Sequence, residues 1–480
     1  MSMIYKPLFF LPSIVALIMT SCAEDDSFGA AAANKLTFST DTVNVDTVFS
    51  NVPSSMRSFW VYNHSGDGLR CRSVKLESGG RSGFRVNVDG AYLGETTNHA
   101  STDLEVRRGD SVRVFVELTA PQNHAIGPQK IEDNLIFTLE SGVEQRVILS
   151  AHSWDAELLK NVHIIKDEVI KAQEKPIVVY GGITVDSAAT LTIAAGTTIY
   201  FHNDSGIKVY GRLLAEGTPT KNIVFRGDRI DRMFSYLPYD FTPGQWQGIR
   251  FFSSSYNNKM CHTDIHGAFD GVVIDSADVS KPKLTLQGTT IHNCQGYGLA
   301  TNNANIIVTN SQITNTLSDC VYVNGGNVSM NNCTLAQFYP FDGNRGVALR
   351  FTSEHPLLSL RVSNTLITGY AEQQLLCKQP DSTLAFNYDF DHCFLRMPKV
   401  QTADSVHYVD VIFENVKDTT TSGAKHFVKI DTKSLRYDFR LDSASLAIDR
   451  ANVKTASPID LNGNRRDKKP DIGAFEYIKM

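Results

Sequence analysis

A short phrase recurs between residues 284 and 367, and its spacing leaves few folds open. It reads Leu284-Thr285-Leu286-Gln287-Gly288-Thr289-Thr290-Ile291, then Ile306-Ile307-Val308-Thr309-Asn310-Ser311-Gln312-Ile313. It returns as Val328-Ser329-Met330-Asn331-Asn332-Cys333-Thr334-Leu335 and as Leu360-Arg361-Val362-Ser363-Asn364-Thr365-Leu366-Ile367. The closing apolar residues Ile291, Ile313, Leu335 and Ile367 are separated by 22, 22 and 32 positions. Each repeat offers short alternating strands around a polar turn, and one such unit cannot bury its apolar face alone. Stacked neighbours can, so the spacing predicts a β-solenoid. With strands ~4.8 Å apart, about eight to ten coils would make a rod roughly 40–50 Å long.

Two columns run through the repeat. The turn slot holds His262, Gly288, Asn310, Asn332, Asn364 and His392. A turn role and a stacked asparagine ladder account for it without a ligand. The slot after it holds Thr289, Ser311, Cys333, Thr365 and Cys393 and calls for a small buried side chain, which free cysteine supplies. The chain has eight cysteines. Setting Cys22 aside leaves an odd number, which rules out a complete disulfide framework, and no pair has zinc-ribbon spacing. The cysteines are expected to be structural thiols.

A length of 480 residues accommodates two or three domains. The net charge of −5 excludes a general nucleic-acid binder, which would present a basic face. A helical period is visible only in the first residues and over Asp155–Lys175. Residues 1–21 read as a signal peptide: Lys6 precedes the apolar run Leu8–Met19, and small Thr20 and Ser21 follow. Met19-Thr20-Ser21-Cys22 resembles a bacterial lipobox, and the acidic Glu24-Asp25-Asp26 beyond it resembles the export signal of Bacteroidota surface lipoproteins. The resemblance implies acylation of Cys22, a tether over 22–35, and a lipid anchor in the outer membrane facing the cell exterior. The alternative is an ordinary signal peptide with a chance cysteine.

Residues 36–152 hold short strands at Leu36–Phe38, Val43–Val48, Ser58–Tyr62, Val112–Val116, Leu135–Leu139 and Val147–Leu149, separated by turn signals. This is the pattern of a β-sandwich. With Asn63-His64-Ser65-Gly66 and Gly109-Asp110-Ser111-Val112, the segment resembles Hydin-like immunoglobulin domains, which implies a spacer or docking module. Trp60 is expected in its core. A linker or cap over 153–176 leads to 177–400. There, Leu191-Thr192-Ile193-Ala194-Ala195-Gly196 and Ile207-Lys208-Val209-Tyr210-Gly211 resemble the opening coils of right-handed parallel β-helix proteins. The fold class is therefore all-β: an Ig-like sandwich followed by a right-handed parallel β-helix. Residues 401–480 form a closure in which Pro470-Asp471-Ile472-Gly473-Ala474-Phe475-Glu476-Tyr477 resembles the terminal block of secreted bacterial β-helix proteins. Asp460, Asn462 and Asn464 alternate as early calcium-loop ligands do, but the later bidentate Glu is missing and Asp-x-Asn-Gly is itself a turn. No cofactor or metal is called for, with calcium there as the alternative.

Two stretches break the period, 226–259 and 337–359, and long insertions in a solenoid emerge on one face and often bind. Aromatic rings pack on sugar C–H faces and arginine forks onto carboxylate or sulfate. This makes Arg229, Tyr236, Tyr239, Trp246, Tyr339 and Arg345 candidate glycan contacts. The alternative is that the rings pack the loops onto the solenoid wall. Pectin-type hydrolases of this fold carry a paired Asp-Asp and a Gly-His-Gly; the chain has Asp-Asp only at Asp25-Asp26 and no Gly-His-Gly. Histidines His262, His266 and His292 have no partner motif, and turn positions explain them. The expected function is a surface-anchored protein that binds a polysaccharide or another surface polymer without catalysis. Polysaccharide lyase or glycoside hydrolase activity and protein-binding adhesion are the alternatives.

Overall fold

The computed structural model describes residues 27–479. The signal segment and Cys22 lie outside the described residues. The described chain is all-β, with only short 3-10 turns besides strands.

Two sheets face each other over residues 36–154. One runs in the order Leu36–Phe38, Arg57–Asn63, Ser111–Leu118, Phe84–Val88, Ala91–Leu93. The other runs Thr42–Phe49, Glu144–Trp154, Gln129–Leu139, Leu69–Leu76, Ala100–Ser101, with Leu104–Val106 also on Leu69–Leu76. Alternation decides the packing: Phe59 and Val61 enter the core, so their neighbour Trp60 faces out. Trp60 is 41% exposed, with the Arg113 guanidinium 5.5 Å from its ring, which corrects its expected place in the core.

From Glu157 the chain enters one large parallel sheet that winds on to Phe413, a right-handed β-helix. Glu157–Ile164 pairs in parallel with Ile177–Val185, and Glu168–Ile170 pairs with Thr190–Ala194. The helical period over Asp155–Lys175 is thus overridden. Its apolar residues Leu159, Val162 and Ile170 pack as strand residues on the solenoid core. Three interior stacks hold the coils. Leu284, Ile306, Val328 and Leu360 stand in register on one wall. Ile265, Ile291, Ile313, Leu335 and Ile367 line the second, and Val272, Leu299, Val321 and Leu349 the third. All are 0–2% exposed, and each contributes ~1.5–3 kcal/mol of burial.

The turn column takes the left-handed backbone: φ is 42° at His262, 59° at Gly288, 46° at Asn310, 51° at Asn332, 48° at Asn364 and 49° at His392. Asparagine tolerates this region better than other residues with a Cβ. The asparagines do not form the expected ladder. Their side chains instead hold the C-terminal segment, which runs back along the corner: Asn310 Nδ2 donates to Ile459 O at 2.8 Å, and Asn364 Nδ2 to Thr455 Oγ1 at 3.0 Å. A hairpin of Phe427–Asp431 and Arg436–Leu441 covers the neighbouring wall. Phe427, Phe439, Ile472 and Phe475 make a second small core there with Ala336, Phe338, Leu366 and Phe394. Asp460 closes its own turn, accepting Asn464 N at 2.8 Å and Glu476 N at 3.1 Å. The described cysteines are all free; Cys71, Cys294, Cys320, Cys333 and Cys393 are buried, Cys261 is half-buried and Cys377 exposed.

Candidate functional site

Both insertions leave the solenoid at the same corner. The first lies between the strands Ile223–Gly227 and Ile249–Phe251, the second between Thr334–Gln337 and Leu349–Ser363. Along the wall that follows this corner lies a trough of about 470 Å³. Its outward rungs Thr184, Lys208, Arg250 and Val273 are in register on successive coils, one beside the next. Its floor is open because glycines form the corner. Gly248 has φ 85°, and a Cβ on it would lie 1.6 Å from the Asp270 carbonyl oxygen. Only glycine fits such a close backbone approach.

Asp204, Asp270 and Gln247 line the same trough. Burial pushes the Asp270 carboxyl above the usual carboxylate range, against the Tyr297 N–H that it accepts at 2.7 Å and the nearby Arg250. Arg250 pairs with Asp275 at 2.9 Å and stays half exposed. Lys208 is exposed, and among the described residues it makes no ion pair. The trough thus presents cations, carboxylates and amide groups together, the set that hydrogen-bonds hydroxyls and pairs with carboxylate or sulfate.

A second cluster sits one wall over. In Thr263–His266 the side chain of Ile265 points inward, so Asp264 and His266 point outward. In Thr290–Cys294 the same alternation turns Thr290 and His292 outward, and register sets His266 beside His292. Their rings stack at 4.8 Å. His266 Nδ1 lies 2.6 Å and His292 Nε2 3.3 Å from the same oxygen, Asp264 Oδ1. The first insertion delivers Asp240, whose Oδ1 is 3.0 Å from His266 Nε2 and 2.8 Å from the Arg226 guanidinium. Burial alone would lower the His266 pKa, but Asp264 and Asp240 raise it to about 9. Burial would raise the Asp264 and Asp240 carboxyls, yet the imidazoles, and for Asp240 also Arg226, hold both below the usual range. A cleft of about 310 Å³, lined by His292, Thr290, Gln312 and Thr314, opens beside the cluster. Phe241 of the insertion and Arg436 of the C-terminal hairpin wall it, the guanidinium 5.9 Å from the ring centre. Asp264, His266 and His292 could together hold a metal ion, as could Asp391, His392 and Asp410 elsewhere.

The candidate glycan contacts do not converge. Trp246 is 1% exposed: it stacks on Phe201 inside the solenoid at 4.5 Å and donates Nε1–H to His266 O. Tyr339 is buried too. Neither ring can contact a polymer, which corrects both assignments; apolar area was worth more inside than on the loop surface. Arg229 reaches the sandwich, donating to Ser55 Oγ at 2.6 Å while paired with buried Asp231, and its guanidinium covers Tyr239 at 4.2 Å. Arg57 adds a bond to Arg232 O at 2.6 Å, so this part of the insertion clamps the two domains. Tyr236 is exposed and stacked on Phe234. Arg345 lies over Tyr370 at 4.6 Å, in a separate depression between the second insertion and the hairpin tip.

His266 and His292, expected at turn positions, stand instead in the strands Thr263–His266 and Thr290–Cys294, and sequence reasoning did not bring them together. The signal was hidden because the coil between the two strands is longer than 22 residues: a constant period would have set Gly288, not His292, beside His266.

The solenoid's class is supported from outside the chain. Residues 155–335 match the family described as right handed beta helix region. A stretch of 93 residues is 38% identical to Protein bark beetle of Drosophila melanogaster, covering 19% of this chain and 3% of that protein. The chain therefore spans a small fraction of that relative's length. Among solved structures, similarity is found to a family 123 glycoside hydrolase from Clostridium perfringens, at 10% identity, TM-score 0.18, and 25% of each chain. It is also found to the ASH/PapD-like domain of human CEP192, at 14% identity, TM-score 0.17, over 32% of this chain and 96% of that one. A protein of unknown function from Porphyromonas gingivalis W83 gives 14% identity and TM-score 0.18 over 29% and 59%. Scores this low do not establish a shared fold.

Proposed function

We propose that this protein binds a polymeric glycan along the outer wall of its β-helix, held at a cell surface by acylated Cys22. The observation that carries the reading is the trough itself: Lys208 and Arg250 on adjacent rungs, with Asp204, Asp270 and Gln247 at its edge. With rungs ~4.8 Å apart, Lys208 and Arg250 stand side by side, so a chain laid along the axis meets both cations. The sandwich then serves as a spacer between the tether and the solenoid. A glycan microarray tests the binding. Retention of neutral polymers alone would leave the two cations without a role, and retention of none would reject the reading. Acylation is tested by Cys22→Ser, which should move the protein from the membrane fraction to the soluble one.

A second reading has one observation behind it. The cluster of Asp240, His266, Asp264 and His292 gathers acid–base groups, with His292 at the edge of a cleft, as lyase or hydrolase chemistry requires. Incubation with uronate polymers, followed by assay of unsaturated products and reducing ends, separates binding from turnover.

A further inference from the structure

We propose that Asp264, His266 and His292 form a binding site for a divalent transition cation of the zinc type, with Asp240 as the carboxylate that orients His266. Three donor atoms of the right chemistry converge. Both imidazoles aim at a single carboxylate oxygen, Asp264 Oδ1, from 2.6 Å and 3.3 Å. All three potential ligand atoms lie within 4.8 Å of one another. A zinc ion bound at ~2.0–2.2 Å from its ligands spaces them ~3.3 Å apart in a tetrahedral site. The 3.3 Å between His292 Nε2 and Asp264 Oδ1 already matches that spacing, and the 2.6 Å between His266 Nδ1 and Asp264 Oδ1 would open by about 0.7 Å.

The outer contacts fit as well. A ligating histidine almost always gives its other ring nitrogen to a carboxylate or carbonyl, which fixes its orientation and raises its basicity. Here His266 presents one nitrogen to Asp264 and the other to Asp240 at 3.0 Å. Asp240 is in turn fixed by Arg226 at 2.8 Å. The ligands stand on neighbouring strands of consecutive coils, held by Ile265 and Ile291 in the core, so the site is built on rigid backbone. Two imidazoles and a carboxylate suit zinc, cobalt or nickel rather than magnesium or calcium, which prefer oxygen. Three protein ligands leave one position open, and one of them, His292, lines the cleft of about 310 Å³. This site is independent of the trough; it shares its residues with the acid–base cluster above, and its test reads metal binding rather than turnover.

The test uses the full chain freed of metal with a chelator and titrated with Co2+ and with Zn2+. A saturable one-to-one site with the intense visible absorption of four-coordinate Co2+ is expected. His292→Ala should abolish that absorption. Asp240→Asn should keep the stoichiometry and weaken affinity roughly 10–100-fold. Asp391→Ala, in the other His/Asp cluster, should leave the absorption unchanged. Zn2+ should raise the melting temperature of the unmodified chain, a readout that does not depend on any variant folding. The proposal is overturned if Co2+ gives only the weak spectrum of a six-coordinate surface ion, if Zn2+ leaves the melting temperature unmoved, or if the signal survives in His292→Ala.

Discussion

Asn332 Oδ1 accepts the amide of Ser457 at 2.8 Å, joining a solenoid turn to a segment 125 residues further along the chain. The same turn column holds the terminal segment at Asn310 and Asn364, where Asn452 N donates to Asn364 Oδ1 at 2.7 Å. The asparagines therefore do two jobs: they take a left-handed backbone and they dock the strap. The two are separable. Asn332→Gly keeps the backbone but orphans the Ser457 amide, at a cost on the order of 1–3 kcal/mol. Asn332→Ala adds about 1 kcal/mol of backbone strain. Thermal melts should rank wild type above Gly above Ala, and limited proteolysis should cut the strap first in both variants.

At the domain junction, the Arg229 guanidinium satisfies Asp231, which is 1% exposed, and reaches Ser55. Arg229→Ala leaves a buried carboxylate unpaired and should destabilise the junction by roughly 3 kcal/mol. Protease sensitivity near residue 155 should rise, while glycan retention by the proposed trough should not change.

Asp155 is a pH probe of the same junction. Burial opposes its charge, but Ser50 Oγ at 2.6 Å, the amides of Asn123 and His124, and Lys175 prevail and hold its pKa below the ordinary value. A depressed folded pKa means stability that is complete above the unfolded carboxylate range and is lost as pH falls from there through the folded pKa. The melting temperature of wild type should drop toward that of Asp155→Asn as the solution is acidified below about pH 4, with the difference largest near neutrality. A difference independent of pH would refute the assignment.

Gly248 gives the trough its floor. A Cβ there meets the Asp270 carbonyl oxygen at 1.6 Å, and φ is 85°. Gly248→Ala should lower the melting temperature by several degrees and weaken glycan retention even where Lys208 and Arg250 are intact, a combination that Lys208→Ala would not produce.

How much of this was legible in the sequence follows from range. The stacks of Ile291, Ile313, Leu335 and Ile367 could be read because each residue's partner lies one period away. The longer step before Ile367 was legible as an insertion, and the structure divides it between the loop from Gln337 to Leu349 and a bulge between Thr352 and Ser359. The role of Asn332 was not legible, because Ser457 obeys no period. Trp246 and Arg229 were misread for a related reason. Each lies in an insertion, but one turns inward to Phe201 and the other outward to Ser55, and sequence alone does not say which way a loop folds. The His266 and His292 pair needed the true length of one irregular coil.

The proposed binding of a glycan chain in the trough rests on Lys208 and Arg250. Affinity electrophoresis through gels containing neutral, uronate-rich or sulfated polysaccharide tests it most directly, comparing wild type with Lys208→Ala/Arg250→Ala. Retardation of wild type by an acidic polymer, weakened at least about tenfold in the double variant, is the expected result. Equal retardation of both proteins, or none in any gel, would contradict the account.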